Sequence, residues 1–239
     1  MKILALESSA TACSAALWGE EGLIAQSFQQ SGLTHSRTLL PMVHDLLANC
    51  GEDLAGVDVI AVAAGPGSFT GLRIGVATAK GLAWGEDKDC AACSTLASMA
   101  WPLAFAEGSV IVCAMDARRN QVYNALFLAK GEELERLTPD RAISLADLGE
   151  ELKKIEKPKI VVGDGAQLCY NTLREQLDDL RLAHPALRQQ SAWGVARQAL
   201  EHVRRGELVK GKDLVPVYHR LSQAERERLA REEQSKKGY

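Results

Sequence analysis

Residues 65–71 read Gly65-Pro66-Gly67-Ser68-Phe69-Thr70-Gly71 and join an apolar run, VDVIAVAAG (57–65), to a segment with helical spacing. Gly65, Gly67 and Gly71 permit left-handed backbone and close approach. A loop that opens a helix also presents free N–H groups at the positive end of the helix dipole. Arg73, in the first turn, adds a cation, and Ser68 and Thr70 are residue types that cap helices. The chemistry these residues suit is anion binding, with phosphate the usual guest at strand-to-helix turns of α/β sheets. The same residues also suit a tight turn that lets the helix pack on its sheet. No histidine base lies within the motif, so neither hydroxyl reads as a nucleophile.

An acid stands at the end of the first apolar run of each half of the chain: Glu7 after KILAL (2–6) and Asp116 after VIVCAM. Such an acid either contacts a magnesium-bound water or hydrogen-bonds locally. The turn after Glu7 is Ser8-Ser9-Ala10-Thr11-Ala12, with no glycine to bring backbone N–H groups close to an anion. No Walker A pattern occurs. His35, His44, His184, His202 and His219 stand singly, and no His-Glu-x-x-His or serine-elbow motif supports a peptidase. Of six cysteines, only Cys90 and Cys93 are close. On a strand their odd separation puts them on opposite faces, where they cannot share a metal.

The elements that must carry these residues follow a repeated plan. KILAL, CSAALW (13–18) and LIAQSF (23–28) read as three strands. Leu39, Leu40, Val43, Leu46 and Leu47 fall at helical spacing up to Gly51, with Pro41 predicting a start near residue 38 or a bend. The strand 57–65, the helix from residue 71, CAACS and TLASMAW complete the first unit. VIVCAMDARRNQVYNALF, LADLGEELKKI, KIVVGDGAQ and LCYNTLREQL repeat it in shorter form. The expectation is an α/β protein of two tandem β-β-β-α-β-α units. It divides into a lobe over 1–107, a second over 108–222 and a charged helix or tail over 223–239.

Composition fits this plan. The 239 residues are 46% hydrophobic and 25% charged with net charge −3, which excludes a basic nucleic-acid binder but leaves room for two cores. No apolar run approaches the roughly 20 residues that cross a bilayer. MKILALESSA has one lysine and an early acid, unlike a secretory leader. A cytoplasmic protein with free thiols and no membrane contact is expected.

The helix after the glycine-rich loop is apolar nearly all round. Gly71, Gly75, Ala79 and Ala83 form a stripe of small residues at i,i+4 spacing, and Leu72 and Val76 add bulk. Such a helix must be covered on more than one side. Together with Leu39, Leu40, Val43 and Leu47 of the preceding helix, Leu72, Gly75, Val76, Ala79 and Ala83 are the expected partner interface. The alternative is that this chain covers both faces itself.

Two such units resemble the actin–sugar kinase–Hsp70 (ASKHA) fold, with two tandem RNase H-like lobes. GPGSFTGLRIGVATAKGLA (65–83) resembles the signature of the TsaB (YeaZ) family. ILALESSATACSAALW, MDARRNQVY (115–123) and PVYHRLSQAE (216–225) agree with it, so the resemblance spans most of the chain. It implies a role in making threonylcarbamoyladenosine in tRNA, as a non-catalytic subunit required by the TsaD ligase, with TsaE, a P-loop ATPase, as third member. It further implies a homodimer when alone and contact with tRNA through the complex. No cofactor is expected on this chain alone, with ATP or ADP at a subunit boundary. The ligase family carries a His-x-x-x-His metal site whose positions match Ser94 and Ser98 here, and serine is a poor ligand for iron or zinc. No catalytic or metal-binding residue is therefore expected. The rival is a weak ATPase or phosphotransferase using Glu7, Asp116 and the 65–71 loop.

Overall fold

The computed structural model describes residues 1–219. The tail expected over 223–239 lies outside the described residues. Two sheets form the framework. The first contains β1 (Ile3–Glu7), β2 (Cys13–Gly19), β3 (Gly22–Gln29), β4 (Val59–Gly65), β5 (Asp89–Ser94) and β12 (Val209–Lys210), in the order β12-β5-β4-β1-β2-β3. The second contains β6 (Val110–Asp116), β7 (Gln121–Ala129), β8 (Leu134–Arg136), β9 (Arg141–Ser144), β10 (Lys159–Val162) and β11 (Leu180–Leu182). Its order is β11-β10-β6-β7-β8, with β9 also on β7. In both, an antiparallel hairpin leads, and the next strands add in parallel beside its first strand. The same order of five strands occurs twice, which is the duplicated plan of the ASKHA fold.

Each sheet is covered on both faces. Helices α1 (His35–Asn49) and α2 (Phe69–Gly85) cover one face of the first sheet, where Leu4, Leu6, Val62, Leu39, Val43 and Val76 share a core. Helices α4 (Leu145–Leu152) and α5 (Ala166–Leu173) do the same for the second. Pro41 does not delay α1. Burial of Leu39, Met42, Val43, Leu46 and Leu47 on the sheet outweighs the one backbone bond that proline removes.

The inner faces are covered by exchange. Helix α3 (Thr95–Ala100) follows the first sheet in sequence but packs on the second, against Ile111, Cys113, Met115 and Phe127. Helix α6 (Ala192–Arg205) follows the second sheet but packs on the first, against Ile3, Ala5, Ala16, Val59 and Ala61. Strand β12 then pairs with β5. The expected division at residue 107 is thus corrected. Within 108–222, residues 192–210 belong to the first lobe, because its sheet would otherwise expose an apolar face. Helix α6 was not anticipated, although SAWGVARQALEHVRRG carries its signals. It ends at Gly206 in the left-handed region, with His202, Arg204 and Arg205 in the last turn.

The expected interface residues also need correction. Leu39, Val43, Leu47, Leu72, Val76, Ala79 and Ala83 are buried in this chain's own core. A Cβ on Gly75 would lie 2.5 Å from Ser8 Oγ and 3.2 Å from Val62 Cγ2, so the small stripe faces the β1–β2 turn and sheet. Only Leu40, 53% exposed, points outward.

The exchanged helices cross where Gly194 meets Ser98. A Cβ at Gly194 would collide with the Ser98 carbonyl, which is backbone and cannot rotate away. Gly194→Ala is therefore expected to lower stability by about 3 kcal/mol, the upper end of overpacking costs. Urea denaturation checks this, and a variant as stable as wild type would show that the crossing can relax.

Candidate functional site

The turns after β1 and β6 face the space between the lobes, and each is organised by its strand-end acid. The Ser9 N–H donates to Glu7 Oε1 at 2.6 Å, and the Arg118 N–H donates to Asp116 Oδ1 at 2.6 Å. Arg118, Arg119 and Asn120 then take successive positive φ values of 63°, 56° and 57°. The two acids differ in environment. Asp116 is exposed, whereas Glu7 is fully buried and its Oε2 lacks a hydrogen-bond partner among the described residues. Burial pushes the Glu7 carboxyl up to about 7, against the pull of the Ser9 hydrogen bond, and the Asp164 charge pushes the same way. Asp164 is itself raised, chiefly by burial, although the Gln190 amide donates to its Oδ1 at 3.0 Å.

The glycine-rich loop closes directly on the first turn. The Ser68 N–H donates to the Ser9 carbonyl at 2.6 Å, and the Ser8 hydroxyl donates to the Gly71 carbonyl at 2.9 Å. A Cβ on Gly67 would stand 2.6 Å from the Ser9 carbonyl oxygen, and one on Gly71 would collide with the Ser8 carbonyl. These glycines serve backbone-to-backbone packing. Ser68 caps α2 by accepting from the Gly71 N–H at 3.4 Å, and Thr70 is exposed.

Arg73 is turned elsewhere. Its guanidinium lies 3.9 Å over the Phe69 ring, and its Nε donates to the Tyr218 hydroxyl at 3.2 Å. Of the expected phosphate set, Glu7, Gly65, Gly67, Ser68 and Gly71 come together, while Arg73 does not point at the loop's N–H groups. A cleft of about 500 Å³ remains beside them, lined by Ser9, Ser68, Asp116, Arg118, Tyr123 and Asp164 among others. Asp164 and Tyr218 line this cleft, with buried Gln190 behind Asp164, and the local sequence pattern does not point to Gln190 or Tyr218. The repeat of a glycine turn at Gly163-Asp164-Gly165 was the available signal for Asp164.

A second cleft, of about 450 Å³, adjoins α3 and α6. Ser94 caps α3, accepting from the Ala97 N–H at 3.1 Å and donating to Asp140 Oδ2 at 2.5 Å. Arg136 completes the lock with a 2.6 Å bond to Asp140 Oδ1. Ser98 is buried and donates to Gln198 Oε1 at 3.0 Å. The close cysteines lie on opposite faces of β5, Cys90 with the α1–α2 core and Cys93 with the α6 core. Burial pushes the Cys90 thiol up to about 11 and Cys93 higher still. Among the described residues, no group of three or more His, Cys, Asp or Glu side chains is placed to hold a metal. No described helix is long and apolar enough to cross a membrane.

Duplicated lobes, exchanged helices and a cleft between two acid-ended turns define a protein of the ASKHA class. The family model for the tRNA N6-adenosine threonylcarbamoyltransferase TsaD matches residues 29–228. The tRNA threonylcarbamoyladenosine biosynthesis protein TsaB of Bacillus subtilis is 38% identical over 179 residues, covering 74% of this chain and 77% of that protein. TsaB of Escherichia coli is 34% identical over 174 residues, covering 70% and 73%. A solved structure named YeaZ from Pseudomonas aeruginosa aligns with a TM-score of 0.73 at 28% identity, over 91% of this chain and 99% of that one. The chain belongs to the TsaB (YeaZ) family, whose members are involved in the biosynthesis of tRNA threonylcarbamoyladenosine.

Two outcomes follow from the geometry. A carboxyl whose folded pKa is raised from 4.5 to about 7 keeps a proton that the unfolded chain has lost. Stability from Glu7 is thus fully present below pH 4.5 and declines as pH rises through about 7, by roughly 3 kcal/mol in all. Glu7→Gln is expected to remove that slope from urea midpoints measured between pH 4.5 and 8; an unchanged slope would assign it to other groups. Gly67→Val is expected to lower the melting temperature sharply and to disturb assembly. A variant with wild-type melting and assembly that has lost nucleotide binding would instead make the loop a phosphate cradle.

Proposed function

We propose that this chain is a non-catalytic subunit that binds and supports a TsaD-type ligase, together with the TsaE ATPase, in making threonylcarbamoyladenosine in tRNA. The observation that carries the reading is the state of Ser94 and Ser98, the positions matched to the ligase family's metal-binding histidines. Both are hydroxyls already engaged within this chain, one in a helix cap with Asp140 and one with Gln198. Serine is a poor ligand for the metals that imidazole holds. The packing of the glycine-rich loop on Ser8 and Ser9 and the neutral tendency of Glu7 support the same reading. A weak ATPase is the second reading, because Glu7 and Asp116 end equivalent strands at one cleft. Tied to the first reading are cytoplasmic residence, tRNA contact through the complex, and ATP or ADP at a subunit boundary.

The partner contact is assigned to the outward face of α1 and α2 rather than to their buried stripe. That face carries Leu40, Ala77, Gly81 and Trp84, the last 78% exposed. A Cβ on Gly81 would meet nothing within 4 Å, so no packing within the chain requires a glycine there. Close approach of a partner backbone would, whether the ligase or a second copy of this chain.

Threonylcarbamoyladenosine formation on tRNA by the purified ligase and ATPase is expected to depend on this chain. Sustained magnesium-dependent ATP hydrolysis by the chain alone, lost in Glu7→Ala, would favour the enzyme reading. Gly81→Ala is expected to raise stability by about 1 kcal/mol, the helix propensity difference, whereas Gly81→Arg stays folded and loses co-elution with the ligase. A Gly81→Arg variant that binds the ligase as wild type does would move the interface elsewhere.

A further inference from the structure

The last described stretch of chain crosses the space between the lobes. Its root is fixed: Leu214 is fully buried in the α1–α2 core, just beyond the short turn Gly211–Asp213. From Leu214, whose backbone is extended, the chain runs to Tyr218 without regular secondary structure. The Val217 N–H donates to the Ala64 carbonyl at 2.7 Å, at the end of β4. Gly65 has a φ of +140°, and a Cβ there would collide with the Val217 carbonyl. The glycine at 65 is thus fitted to this crossing segment as well as to the loop it opens. Tyr218 then lies against Phe69, with ring centroids 4.9 Å apart and planes 30° apart, and its hydroxyl accepts from Arg73. Arg73 in turn covers Phe69, so the tyrosine clasps the first turn of α2.

Fit and grip are unequal in this arrangement. The groove is shaped closely enough to require glycine, yet the segment buries little. Val215 is 59% exposed, Val217 47% and Tyr218 42%. Among the described residues, the Val217–Ala64 backbone bond, the Phe69–Tyr218 ring contact and the Arg73–Tyr218 hydrogen bond hold it, the pattern of a low-stability local unit rather than of a core strand. Its position gives it leverage, because Val217 and His219 line both inter-lobe clefts. The segment is the partition between the cleft at the acid-ended turns and the cleft at α3 and α6. The chain then continues into the charge-rich residues 220–239.

We propose that Val215–His219 is a reversible latch, hinged at Leu214 and clasped by Tyr218, that keeps the two clefts separate and joins them into one groove when it lifts. Hydrogen exchange with mass spectrometry on the full chain tests it. In wild type, amides in 65–72 and 214–218 are expected to be protected but to exchange faster than those of β1 and β4. In Tyr218→Ala the same two segments are expected to exchange at least tenfold faster, with the rest of the chain and the melting temperature unchanged. Tyr218→Phe, which keeps the ring and loses the Arg73 bond, should fall between. Unchanged exchange in Tyr218→Ala would overturn the clasp. Faster exchange throughout the molecule with a lowered melting temperature would overturn the latch, by making the segment an integral part of the fold.

Discussion

The crossing of α3 and α6 at Gly194 and Ser98 holds the two lobes in their relation. Each helix covers a sheet that it does not follow in sequence, so each lobe is completed by the other half of the chain. That requires two backbones to pass at a separation only glycine allows. The cleft of about 450 Å³ and the Ser94–Asp140–Arg136 lock lie beside these two helices.

The electrostatics of the space between the lobes bear on what it can hold. Glu7, Asp116 and Asp164 contribute three carboxyls, and two of them are raised by burial. Glycines that might have opened their N–H groups to an anion instead rest on the Ser8 and Ser9 carbonyls. Arg73, the cation nearest in sequence, is held by Phe69 and Tyr218. Glu7 is buried and Asp164 partly buried, and the glycine-rich loop spends its backbone contacts on the neighbouring turn.

Much of this was legible in the sequence. Periodicity located thirteen strands and helices of the two repeats, and the equivalence of Glu7 and Asp116 survives as equivalent turns with the same acid-to-backbone bond. The reading failed where local pattern is silent about distant partners. Gly75, Val76 and Ala79 look the same whether a neighbouring chain or this chain's own sheet and β1–β2 turn cover them, and it is the sheet and turn. Helix α6 has a clear cap and charge pattern, but nothing in residues 192–205 says that they lie on a sheet begun at residue 3. Arg73 looked like a phosphate ligand because its competitor, Tyr218, stands 145 positions away.

The exchange of helices has a consequence for synthesis on the ribosome. The face of the first sheet formed by Ile3, Ala5, Ala16, Val59 and Ala61 is made early, but its cover, residues 192–205, is translated more than 90 residues after β5. At the usual elongation rates the nascent chain carries that uncovered face for roughly 5–20 s. Small alanines over much of this surface, rather than large aliphatics, limit how strongly it attracts other unfinished chains during the wait.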